Sequence, residues 1–91
     1  MPVAVTFNRV AMTSEQYDEC MRQLEAAGEG SPSGRLYHVC YVTGGRLRVL
    51  DVWDSAESFA RFGQTLLPIL RGIGIDPGEP VVGEVHNVVE G

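Results

Sequence analysis

Two adjacent glycines, Gly44-Gly45, stand between two runs rich in β-forming residues, 35–43 and 46–54. A two-residue connection between strands favours turns with positive φ at both central positions, and glycine takes those angles without steric cost. The pair therefore predicts a tight antiparallel hairpin and sets its register. Thr43 faces Arg46, Cys40 faces Val49, His38 faces Asp51 and Leu36 faces Trp53. Everything else in the chain has to be arranged around this ribbon.

Before the hairpin, 3–9 reads as a strand. Thr13-Ser14-Glu15-Gln16 then has the form of a capping box, a hydroxyl for the early amides and a Gln reaching back three residues later. Tyr17, Cys20, Met21 and Leu24 follow at three- and four-residue steps, the apolar stripe of a helix that Gly28 ends. A Gly/Ser/Pro loop leads into the hairpin. After it, Asp54-Ser55-Ala56-Glu57 reads as a second capping box, with Ala56, Phe59, Phe62 and Leu66 as the buried stripe of a helix that Pro68 ends or kinks. Residues 72–80 form a Gly/Pro loop and 81–89 a last strand. The order is β-α-β-β-α-β. With right-handed crossovers it predicts an α+β, ferredoxin-like domain spanning 1–91, its four antiparallel strands ordered fourth, first, third, second, with both helices on one face.

Alternation in the hairpin gathers Leu36, His38, Cys40, Val49, Asp51 and Trp53 on one side and Tyr37, Val39, Tyr41, Arg48, Leu50 and Val52 on the other. Directly opposed strand residues have Cβ atoms about 5 Å apart, within reach of an imidazole–carboxylate hydrogen bond. A carboxylate fixes one tautomer of the ring and leaves the other nitrogen to take or give a proton. His38 with Asp51, beside Trp53 in apolar company, is therefore the candidate catalytic pair; a satisfied structural pair is the competing reading. His86, in the last strand, is a candidate third member if it faces the same way. The side carrying Val39, Leu50 and Val52 is left bare, and a second copy of the chain is expected to cover it.

Other chemistry is poorly represented. Seven arginines, no lysine and twelve acidic side chains give a charge of −5, which disfavours nucleic acid. Cys20 and Cys40 fall within a helical stripe and an apolar strand, so they read as buried thiols in a reducing cytoplasm. His38 and His86 lack a third ligand at metal-binding spacing. Gly72-Ile73-Gly74 follows a helix, the wrong context for a dinucleotide site. No metal, flavin, haem or nucleotide cofactor is expected. The first residues carry no basic leader pattern, and no run approaches the ~18 apolar residues of a membrane span.

The element order, with Val49-Leu50-Asp51-Val52-Trp53-Asp54-Ser55-Ala56-Glu57-Ser58-Phe59, resembles the dimeric α+β barrel superfamily, in its antibiotic-biosynthesis-monooxygenase-like branch. There a third strand ends in an aromatic and a polar residue and runs straight into the second helix. Gly34-Arg35-Leu36-Tyr37-His38-Val39 and Val85-His86-Asn87-Val88-Val89 look like strands of small members of that superfamily. The resemblance implies two sheets packed across a homodimer and a pocket between helices and sheet in each subunit. Its members oxidise aromatic polyketides without metal or flavin, degrade haem, isomerise lactones or cyclise polyketide chains. The tryptophan of the quinone-forming members matches Trp53. Their pocket asparagine and tyrosine are replaced by Val49 and Phe59, a departure from the oxygenase pattern that leaves the pocket itself. Haem degradation calls for a histidine on the second helix, where this chain has none.

These readings converge on a cytoplasmic homodimeric enzyme, cofactor-free, acting on a small apolar or aromatic enolisable substrate in secondary metabolism. His38, oriented by Asp51, would remove the proton. Leu36, Cys40, Val49, Trp53, Phe59 and Phe62 would line the pocket, with Trp53, Phe59 and Phe62 as the wall against which a ring stacks. The rival expectations are a dimeric module that binds a small ligand without chemistry, and a structural dimer whose pocket is filled by its own side chains.

Overall fold

A computed structural model of the chain describes residues 1–7 and 11–91. It contains β1 (Val3–Phe7), α1 (Ser14–Ala26), β2 (Arg35–Thr43), β3 (Arg46–Trp53), α2 (Ala56–Ile73) and β4 (Val81–Glu84). The strands form one sheet in the order β2-β3-β1-β4, and every neighbouring pair is antiparallel. This is the predicted ferredoxin-like arrangement. Alternation along β1 turns Val3, Val5 and Phe7 to the helix side, where they meet Trp53 of β3, Cys20 and Leu24 of α1, and Phe62 and Leu70 of α2. The core is this single layer between sheet and helices.

Gly44 and Gly45 take φ values of +58° and +75°, the pair of positive angles that a tight hairpin turn needs. Thr43↔Arg46, Cys40↔Val49 and His38↔Asp51 pair as expected. One residue beyond His38 the regular ladder stops. Arg35, not Leu36, lies opposite Trp53, because the register shifts between Arg35 and Tyr37. A bulge of this kind sets two residues against one and reverses the alternation beyond it. Leu36 is the extra residue, 53% exposed, and it shares a surface recess with Tyr37 and Val52 of the open face.

Thr13 and Gln16 form the full capping box at the start of α1. The second cap differs from expectation by one residue. Ser55 is the N-cap, and its hydroxyl accepts from the Ser58 amide. Pro68 does not end α2, which continues to Ile73 and closes on Gly74 at φ +87°. A proline inside a helix costs about 3 kcal/mol. Beyond it, Leu70 is buried in the core and Ile69 and Ile73 pack against it partly buried. Full burial of one such side chain contributes roughly 1.5–3 kcal/mol, and partial burial adds to it. The burial outweighs the local break.

The last strand ends at Glu84, well short of the expected 89, because its partner runs out. Val3 pairs with Glu84, the Val85 amide donates to the Pro2 carbonyl, and β1 offers nothing further. His86 lies beyond the sheet and is exposed. The expected first strand ended at Arg9, which lies outside the described residues; β1 ends at Phe7. No helix among the described residues is long and apolar enough to cross a membrane.

Candidate active site

The hairpin delivers His38 and Asp51 to adjacent places on the helix side of the sheet. His38 Nδ1 and Asp51 Oδ1 are 2.6 Å apart. The Trp53 indole N–H donates to the other carboxylate oxygen, Oδ2, at 3.3 Å. Asp51 is 2% exposed, so these two contacts take the place of water for a buried carboxylate. They also define the imidazole: Nδ1 carries the proton given to Asp51, and Nε2 is left as an acceptor.

That acceptor is occupied. Tyr17, from the first turn of α1, brings its hydroxyl 2.6 Å from His38 Nε2, and the two rings lie nearly parallel at 5° with centroids 6.1 Å apart. Burial, more than its neighbours, pushes the Tyr17 phenol up to about 12. It therefore stays protonated at physiological pH and donates to the ring. The result is a line of three groups, Asp51 to His38 to Tyr17, running from the centre of the sheet to the base of α1.

Tyr17, His38 and Asp51 share a cavity of about 50 Å³ between the sheet and the two helices. Its other walls are mostly apolar, with Met12, Cys20, Met21 and Leu24 near or on α1 and Phe62, Leu66 and Leu70 from α2. Among the described residues Arg35 is the one arginine in the lining, with its guanidinium carbon 5.9 Å from the Phe62 ring centroid. The bulge at Leu36 puts it there. Gly34 holds the preceding turn: its carbonyl accepts from the Asp54 amide at 2.8 Å, and a Cβ at Gly34 would lie 2.6 Å from Ser58 Cβ.

Of the residues expected to line the pocket, only Val49 and Phe62 do so alongside His38 and Asp51. Leu36 is turned away by the bulge. Trp53 is fully buried behind Asp51, in contact with the rings of Phe59 and Phe62, so it orients the carboxylate and presents no face to a ligand. Phe59 packs on Phe7 and borders a different groove. Cys40 is partly buried next to the cavity but not in its wall, and burial raises its thiol above the ordinary range. His86 is exposed and is not among the residues that line this cavity. Tyr17 and Arg35 were not anticipated. The only sequence signal for Tyr17 was a polar-tipped aromatic leading an apolar stripe. Arg35 carried none, because its orientation depends on the bulge. Among the described residues no three His, Cys, Asp or Glu side chains gather as a metal site would require.

No family model matches the chain, and no curated protein matches it by sequence. Comparison with solved structures finds a candidate antibiotic biosynthesis monooxygenase from Deinococcus radiodurans, at a TM-score of 0.62 and 10% identity, over 99% of this chain and 97% of that one. At that identity the likeness reaches the backbone and not the side chains of the cavity. The chain has the ferredoxin-like α+β fold of that protein, as the segment around Trp53 suggested.

Proposed function

We propose that the cavity is an acid–base site in which Tyr17, His38 and Asp51 move a proton to and from a small, enolisable, largely apolar substrate. The supporting observation is the hydrogen-bonded line from Asp51 through both nitrogens of His38 to a protonated phenol at an apolar cavity. With Nε2 already engaged, the group that meets the substrate is the Tyr17 hydroxyl. As the phenol oxygen takes a proton from carbon, its own proton passes to Nε2, leaving an enolate and an imidazolium paired with Asp51. The step runs backwards to reprotonate another position. It needs no metal or flavin.

The fate of the enolate decides the reaction. Transfer of an electron to O₂ begins an oxygenation, the outcome suggested by the candidate monooxygenase that shares the fold. Internal attack or reprotonation gives cyclisation or isomerisation. We place the protein as a cytoplasmic homodimer of secondary metabolism. The cavity narrows the substrate: an apolar protein cavity that binds benzene measures about 150 Å³, whereas about 50 Å³ is present here. That volume favours a short carbonyl compound over a fused aromatic polyketide. The small cavity and the fully engaged imidazole also favour a second reading, a ligand-binding module with no turnover.

Solvent-deuterium exchange followed by NMR separates the two without knowledge of the product. The protein is incubated in D₂O with a panel of small diketones and oxo acids, and loss of the α-proton signal is timed. Wild type is expected to accelerate exchange for at least one of them. His38→Gln, which can still donate to Asp51, should lose about 100-fold or more. Equal rates for the two proteins across the panel would leave only the binding module.

A further inference from the structure

Among the described residues Arg35 is the one arginine in the wall of a cavity within a chain of net charge −5. Its side chain is half-buried. Its hydrogen bond is a single one, from an NH2 group to the Gly30 carbonyl at 3.2 Å, which leaves most of its five N–H donors uncommitted. No carboxylate among the described residues pairs with it. Asp51, the one acid in the cavity wall, is taken by His38 and Trp53. The Phe62 ring lies against the guanidinium. Arg35 and His38 also border a second recess, with Ser31, Pro32, Leu36 and Tyr37, so these two residues stand between the apolar cavity and that recess. A bulge, a glycine that accepts no Cβ and an aromatic face all hold this cation in the wall of the cavity, with no carboxylate among the described residues to meet it.

We propose that the site binds a short-chain organic anion whose carboxylate pairs with Arg35 while its alkyl or oxoalkyl chain enters the cavity beside Tyr17. This names the substrate class of the acid–base reading and rests on it for the placing of the chain, although binding itself is independent of turnover. A guanidinium and a carboxylate meet through two parallel N–H···O bonds, which gives both affinity and direction. The volume favours a short chain: about 50 Å³ is a third of an apolar cavity that binds benzene, which suits a chain of roughly two to four carbons. A 3-oxo or 4-oxo acid of that length would present an activated methylene next to the phenol. Arg35 would also favour the enolate electrostatically as it forms, since the same guanidinium acts to lower the Tyr17 phenol against the larger effect of burial.

The test is binding measured by NMR titration of the whole protein with butyrate, butyramide and octanoate as probes, at neutral pH. Butyrate should bind about tenfold or more tightly than its uncharged isostere butyramide. Arg35→Gln should abolish that preference, and Arg35→Lys should keep part of it. Octanoate should bind no better than butyrate if the cavity sets the length. Equal binding of butyrate and butyramide to wild type would overturn the proposal. So would an unchanged butyrate preference in Arg35→Gln that retains the wild-type circular dichroism spectrum. If butyrate binds through Arg35 and no carbonyl compound exchanges its α-protons, the anion site stands and the proton-transfer reading falls. If neutral diketones exchange as fast in Arg35→Gln as in wild type while butyrate binds neither protein, the proton-transfer reading stands and the anion site falls.

Discussion

A phenol 2.6 Å from an imidazole nitrogen, driven to about 12 by burial, is a donor at any pH at which the protein works. The sign of its pH effect follows. Unfolded, the phenol ionises near its ordinary 10; folded, near 12. Its contribution to stability is therefore complete below about pH 10 and declines as the pH rises from 10 to 12. Absorbance at 295 nm should show a late tyrosine step in wild type that Tyr17→Phe removes. Tyr37 is also raised, chiefly by its hydrogen bond to Glu90, so the variant is what assigns the step. Loss of a step near 10 in Tyr17→Phe would show that the phenol is not buried as described. At this scale the sequence was informative only where contacts are local. His38 and Asp51 meet because two glycines set the register between them. Tyr17 meets His38 only because α1 docks on the sheet, and no spacing in the sequence announces that.

The elements show the same division. The turn, the α1 cap and the order of strands could all be read because each follows from a few neighbouring residues or from handedness. The bulge at Leu36 could not, because its cause is distant: Gly34 is held under α2 by Asp54 and Ser58. The early end of β4 is set by where β1 begins, at Val3, and the survival of α2 across Pro68 by burial on its far side. Gly34 offers a direct check. At φ +94°, with Ser58 2.6 Å from a would-be Cβ, Gly34→Ala combines backbone strain with overpacking and should cost about 2–4 kcal/mol. Urea unfolding of both proteins reads this directly; a cost under about 0.5 kcal/mol would mean that the turn is not the anchor that aims Arg35.

At the scale of the whole molecule, the sheet has one face packed by helices and one face open. Tyr37, Val39 and Tyr41 on the open face are 40–47% exposed, alongside partly exposed Leu50 and Val52. Contiguous apolar surface on a sheet is unfavourable in water and is relieved by a second copy. Light scattering over a range of concentrations should give about twice 9.9 kDa, and Val39→Asp should shift it to the monomer. A wild-type monomer at micromolar concentration would remove the dimer from the account. The cavity lies on the opposite side of the sheet, so the Val39→Asp monomer should keep the Tyr17–His38–Asp51 line. The central claim is that this line carries the proton and that Tyr17, not His38, meets the substrate. The most direct measurement is the rate of α-proton exchange in D₂O for Tyr17→Phe beside His38→Gln, on whichever carbonyl compound wild type exchanges fastest. A relay predicts that both variants fall together, by about 100-fold or more. Exchange that persists near the wild-type rate in Tyr17→Phe and fails only in His38→Gln would contradict it, leaving the imidazole as the base and the tyrosine as a cover over it.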